Sequence, residues 1–123
     1  MRLFLASLLL AGSAAPAAAQ HDTVYRIGIS GTIDGGLAPF VARALRQAEA
    51  SGAAAVYLDV NTPGGRVDAA EAIVDAIRST RIPVYAYVNP RAYSAGALIS
   101  IATDGIYMRS GYNFRQDPEA LSP

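Results

Sequence analysis

From Thr23 to Met108 the apolar residues recur first at every second position and then at every third or fourth, and the two spacings keep alternating. The first spacing is that of a strand, and the second is that of a helix buried along one face. Val24-Tyr25-Arg26-Ile27-Gly28-Ile29 predicts a strand, and Gly31, Gly35 and Gly36 punctuate its exit. Leu37, Phe40, Val41, Ala44, Leu45 and Ala48 then fall on one face of a helix, with Arg43, Arg46 and Gln47 opposite and Ser51-Gly52 at its end. Ala54 to Val60 predicts a buried strand that delivers the chain into Asn61-Thr62-Pro63-Gly64-Gly65. A second helix directs Val67, Ala70, Ile73, Val74 and Ile77 inward, and Asp68, Glu71, Asp75 and Arg78 to water. Ile82 to Val88 predicts a third strand, broken by Asn89-Pro90. Ala95 to Ala102 is a helix apolar on all sides, which predicts full burial, and Ile106-Tyr107-Met108 a last short strand.

Strands that alternate with helices predict an α/β layer architecture with a mostly parallel sheet. In such a sheet the loops leaving the carboxyl ends of the strands share one edge, and ligands bind there. The Gly64-Gly65 loop and the segment Arg91-Ala92-Tyr93-Ser94-Ala95-Gly96 both belong to that edge.

Ser94 is therefore a candidate nucleophile. A carbonyl attacked by its hydroxyl develops charge on oxygen, and the main-chain N–H groups of Gly64, Gly65 and Ala95 are candidate donors to that oxyanion. Glycine lets the backbone approach a substrate with no side chain between them. Two plainer readings stand beside this one: Ser94 as the cap of a buried helix, and Pro63-Gly64-Gly65 as an ordinary turn. A hydroxyl also needs a base, normally His or Lys. All ten basic residues are Arg, and the one His is His21, ahead of the first strand. Asp59 reads as a structural hydrogen-bonding group and Asp104 as a turn residue. The pattern Ala92-x-Ser94-x-Gly96 approaches the nucleophile elbow of α/β-hydrolases, but Asn89 to Tyr93 separates strand from serine and no later Asp and His pair exists.

Composition narrows the remaining possibilities. The formal net charge is zero and the arginines are scattered, which argues against nucleic acid as a partner. Absence of Cys and a single His provide no ligand cluster, so neither metal nor cofactor is implied. Residues 1–19 predict a secretory signal peptide, with Arg2, a short apolar run from Leu3 to Gly12, and Ala17-Ala18-Ala19 before Gln20. The expected location is outside the cytoplasm, exported or periplasmic.

The series strand, Thr62-Pro63-Gly64-Gly65, helix, strand, Tyr93-Ser94-Ala95-Gly96 resembles the NfeD family of membrane-bound serine proteases, which have the ClpP/crotonase-like fold. The resemblance runs over residues 23–108. It implies a Ser-Lys endopeptidase with Ser94 as nucleophile, Gly64, Gly65 and Ala95 around the oxyanion, and Tyr93 lining the cleft for an extended peptide. It also implies full-length relatives anchored by C-terminal membrane helices, a stomatin-like membrane partner and homo-oligomeric assembly. The pattern departs from the family after Met108, where residues 109–123 form a divergent tail, and the family's catalytic Lys has no counterpart. The expectation is a fold incomplete at the C-terminus, from a truncated or frameshifted chain, inactive for want of its base. The alternative is a non-catalytic peptide-binding or assembly module of the same fold. Crotonase-type acyl-CoA enzymes share the fold, but an export signal argues against them.

Overall fold

The computed structural model describes residues 23–110. It contains β1 (Val24–Ser30), α1 (Leu37–Ala50), β2 (Ala55–Thr62), α2 (Val67–Ser79), β3 (Val84–Ala92), α3 (Ala95–Ile101) and β4 (Gly105–Met108). The strands form one sheet in chain order, β1-β2-β3-β4, and every neighbouring pair is parallel. The predicted signal peptide and most of the predicted tail lie outside the described residues. Met108 is not quite the end of the ladder, because the Arg109 N–H still donates to the Val88 carbonyl at 3.1 Å.

Alternation along the strands decides what is buried. Ile27 and Ile29, then Val56, Leu58 and Val60, then Val84, Ala86 and Val88 point to one face, where the helices pack and α2 touches both α1 and α3. Val41, Leu45 and Ala48 of α1 and Ala70, Ile73 and Ile77 of α2 complete the core. The opposite face holds Tyr57, Asp59, Tyr85 and Tyr87, all half-buried, with Tyr107 exposed at the rim. There Arg26 Nε donates to Asp59 Oδ2 at 2.9 Å, so Asp59 works as a surface hydrogen-bonding group of the sheet.

Three expectations change. Asn89-Pro90 does not break the third strand, which continues to Ala92 through a cis Asn89–Pro90 peptide. The register passes from Val60↔Val88 to Thr62↔Ala92, so the ladder skips the positions where proline has no N–H to donate. The last helix is not buried all round: Ala95, Gly96, Ile99 and Ser100 face the core, while Leu98 and Ile101 are exposed. It lies at the end of the helix layer with a neighbour on one flank only. Phe40 and Val67, read as inward-facing, are also exposed, and Ala38 and Ala69 take the buried positions instead. Among the described residues no helix is long and apolar enough to cross a membrane, and no cluster of His, Cys, Asp and Glu could hold a metal ion.

Candidate active site

The carboxyl ends of β2 and β3 carry the two segments singled out by sequence, and the fold brings them into contact. β3 ends at Ala92 and α3 begins at Ala95, so Ser94 stands at the strand-to-helix turn itself. Its backbone takes φ 49° and ψ −117°, and it is the one positive-φ residue other than glycine among the described residues. Such a conformation costs about 1–3 kcal/mol and persists only where surrounding structure enforces it. Sequence alone places five residues, Asn89 to Tyr93, between the predicted strand and Ser94. Extension of β3 through Pro90 removes that gap and makes the turn an elbow.

The hydroxyl is uncommitted. Ser94 makes no side-chain capping bond to α3, its Oγ has no hydrogen-bond partner among the described residues, and the residue is exposed. The capping reading of Ser94 therefore fails, since a cap acts by accepting a main-chain N–H of the first helical turn.

Gly64 packs directly against it. A Cβ built on Gly64 would lie 2.8 Å from Ser94 Cβ, 3.3 Å from Ser94 Oγ and 3.1 Å from the Tyr93 carbonyl, and φ of +106° disfavours any side chain there. Gly65 is held on its other side by a parallel bridge to Ile33: Ile33 N–H donates to the Gly64 carbonyl at 3.0 Å, and Arg66 N–H to the Ile33 carbonyl at 2.9 Å. A Cβ on Gly65 would overlap the Ile33 backbone. Both glycines are thus required by close approach.

The two glycines differ as donors. Gly64 N–H is spent inside the turn, on Thr62 Oγ1 at 3.0 Å. This corrects the symmetric reading of the pair. The bridge to Ile33 uses the Gly64 carbonyl and the Arg66 N–H, so Gly65 N–H has no acceptor among the described residues. Neither does Ala95 N–H, which opens α3 and has no intrahelical partner. Tyr93 is exposed beside them; its N–H donates to the Thr62 carbonyl at 3.1 Å and its carbonyl accepts the Gly96 N–H at 2.8 Å.

Sequence reasoning passed over Thr62. It is completely buried at the end of β2, and its place at the head of the Thr62-Pro63-Gly64-Gly65 motif is the signal that marks it, although the sequence assigns it no role. Its hydroxyl donates to the Gly31 carbonyl at 2.6 Å while accepting from Gly64.

No base accompanies Ser94 among the described residues, which include neither Lys nor His; His21 lies outside them. The nearest charged pair in sequence to the glycine turn is Arg66 with Asp68, joined from Arg66 Nε to Asp68 Oδ1 at 2.9 Å. The guanidinium hydrogen bonds hold the Asp68 carboxyl down at about 2, so at neutral pH it is a carboxylate engaged with its neighbour. Asp104 sits at the far end of β3, where Oδ2 accepts the Val84 N–H at 2.7 Å.

A family model described as the NfeD1b N-terminal domain matches residues 23–115. The membrane protein NfeD1b of Bacillus subtilis is 46% identical over 109 residues, which are 89% of this chain and 24% of that protein. The membrane-bound protease PH1510 of Pyrococcus horikoshii is 35% identical over 113 residues, 89% of this chain and 25% of the protease. The chain therefore spans about a quarter of the length of these relatives. Among solved structures, the 1510-N membrane-bound stomatin-specific protease of Pyrococcus horikoshii, as a lysine-to-alanine mutant in complex with a substrate peptide, superposes with a TM-score of 0.66. It is 36% identical and covers 71% of this chain and 41% of its own. ClpP1 of Listeria monocytogenes superposes with a TM-score of 0.61 at 28% identity, over 63% of this chain and 46% of its own. The fold is ClpP-like.

Proposed function

This chain belongs to the family of the NfeD1b N-terminal domain, and from that premise we propose that it is the nucleophile-bearing part of a membrane-associated serine endopeptidase of the Ser-Lys type. Ser94 Oγ attacks the carbonyl carbon of a peptide bond while its proton passes to a base. The new C–O bond gives a tetrahedral intermediate whose oxyanion accepts hydrogen bonds from Gly65 and Ala95 N–H. Collapse breaks the C–N bond, returns the proton to the leaving amine and leaves an acyl-enzyme that water hydrolyses. Gly64 lies close against Ser94 and keeps side-chain atoms out of the attack zone, and Tyr93 lines the cleft in which the peptide extends. The observation that carries this reading is the uncommitted hydroxyl of Ser94, held at φ 49° on a strand-to-helix turn.

The base comes from outside these residues, because none of the 123 is Lys. A homo-oligomer of this chain would not supply it, since each copy has the same composition. A second reading is a non-catalytic peptide-binding or assembly module, supported by the lack of Lys and His beside Ser94 among the described residues. Export from the cytoplasm, assembly with copies of itself and a stomatin-like membrane partner complete the proposal; the relative 1510-N is a protease specific for a stomatin homolog.

The two readings part in a chimera in which residues 23–108 replace the matching segment of the Pyrococcus horikoshii protease, whose remaining sequence is kept. A folded chimera that cleaves that protease's substrate peptide, and loses cleavage on Ser94→Ala, supports the endopeptidase. A folded chimera that binds the peptide but never cleaves it favours the binding module.

A further inference from the structure

We infer that Thr62 is a positioning residue that sets the spacing between the glycine turn and Ser94, an inference that rests on the reading of Ser94 as nucleophile. A hydroxyl has one proton and two lone pairs. Thr62 gives the proton to the Gly31 carbonyl at 2.6 Å, and that leaves a lone pair for the Gly64 N–H at 3.0 Å. The side chain therefore ties the exit of β1 to the glycine turn. By committing the Gly64 N–H it decides that Gly65, and not Gly64, presents a donor to the cleft.

The rest of the residue acts on the other segment. The Thr62 carbonyl accepts the N–H of Tyr93, immediately before Ser94. Its Cγ2 fills the space beside Gly96, two residues after Ser94, so closely that a Cβ on Gly96 would overlap it. Ser94 is thus bracketed on both sides by contacts to one residue of the neighbouring strand. The Thr62 side chain is completely buried and its bond from the Gly64 N–H is buried with it, so water cannot take the place of the hydroxyl there. Valine would keep the shape but lose both hydrogen bonds. Serine would keep the bonds and lose only the methyl.

The experiment uses the full chain, labelled with nitrogen-15, with Thr62→Val and Thr62→Ser beside it. Amide hydrogen exchange is followed by NMR in this chain. Phenylboronic acid, whose boron takes a serine oxygen as fourth ligand, is titrated into the chimera that carries the protease's remaining sequence and its base, with the same Thr62 substitutions and with Ser94→Ala as the blank. In Thr62→Val the Gly64 amide is expected to exchange about tenfold faster, as loss of a buried hydrogen bond requires. The rise at Gly64 should exceed any rise at Leu58 and Ile73, whose exchange reports global opening, and Ser94-dependent boronate affinity of the chimera should weaken about tenfold. Thr62→Ser should restore both readouts to near wild type. The inference is overturned if Gly64 exchange does not change in Thr62→Val, if both variants behave alike, or if boronate affinity at Ser94 is untouched. A folded chimera with Thr62 intact whose Ser94 never takes up boron overturns the nucleophile reading and the claim on Ser94 together. Exchange at Gly64 still decides in that case whether Thr62 shapes the turn.

Discussion

Replacing Gly64 with alanine adds one methyl group at the point where the glycine turn meets the Ser94 turn. The new Cβ would stand 2.8 Å from Ser94 Cβ and 3.1 Å from the Tyr93 carbonyl, at a residue whose φ is +106°. Neither neighbour is the loose end of a flexible side chain, so backbone must move. The unfavourable φ costs about 1–3 kcal/mol and overpacking a similar amount. Against a total stability of roughly 5–13 kcal/mol for a domain of this size, the loss is severe. At about 4–8 °C for each kcal/mol, the melting temperature should fall by at least about 8 °C. The assay is thermal unfolding followed by circular dichroism, with Gly35→Ala as control, because a Cβ on Gly35 meets nothing within 4 Å. The control should melt with wild type or slightly above it, since alanine reduces the freedom of the unfolded chain. A Gly64→Ala protein melting within ~2 °C of wild type would show that the turn and Ser94 are not in contact as described.

Other consequences follow from the same contacts. Gly96→Ala drives its methyl into Thr62 Cγ2 and should destabilise by about 1–3 kcal/mol. Adding Thr62→Ser to it should recover part of that loss, so denaturant titration of the double-mutant cycle should return a coupling of at least ~0.5 kcal/mol, and strict additivity would contradict the packing. The Asp68 carboxyl, held at about 2 by Arg66, lies below the ordinary carboxylate range of the unfolded chain. Its contribution to stability is therefore present above about pH 4 and lost as pH falls toward 2. Glu49, which accepts the Arg81 N–H at 2.6 Å and is likewise lowered, acts in the same direction. NMR titration should find the Asp68 midpoint near 2 and, in Arg66→Ala, back in the ordinary range; an ordinary midpoint in wild type would exclude the pairing.

The architecture was readable because burial here obeys simple periods. Val56, Leu58 and Val60 alternate with half-buried residues, and Val41, Leu45 and Ala48 repeat at helical spacing, so each element announced itself. Local pattern was a poorer guide where tertiary context decided. Pro90 looks like the end of a strand, yet β3 passes it because the partner strand shifts register at that point. Ala95 to Ala102 looks like a buried helix, yet Ile101 is 73% exposed because the layer ends there. At the site, Ser94 and the glycine pair stood out by residue type and by their place after strands. The inequality of Gly64 and Gly65 did not, because it depends on a hydrogen bond from Gly64 to a side chain of the preceding strand. Thr62 was hidden for the same reason: its role lies in three contacts to segments far apart in the chain, none of which leaves a mark on its neighbours.

The claim at the centre of this account is that Ser94 is an acyl-transfer nucleophile whose base is not among these residues. Mass spectrometry of the chain after incubation with a fluorophosphonate tests it directly, alongside the chimera that carries the protease's remaining sequence. The account predicts no adduct above the Ser94→Ala background in the chain alone, and an adduct on Ser94 in the chimera. Efficient labelling of Ser94 in the chain alone would mean that a base is already present, and a folded chimera left unlabelled would mean that Ser94 is not the nucleophile.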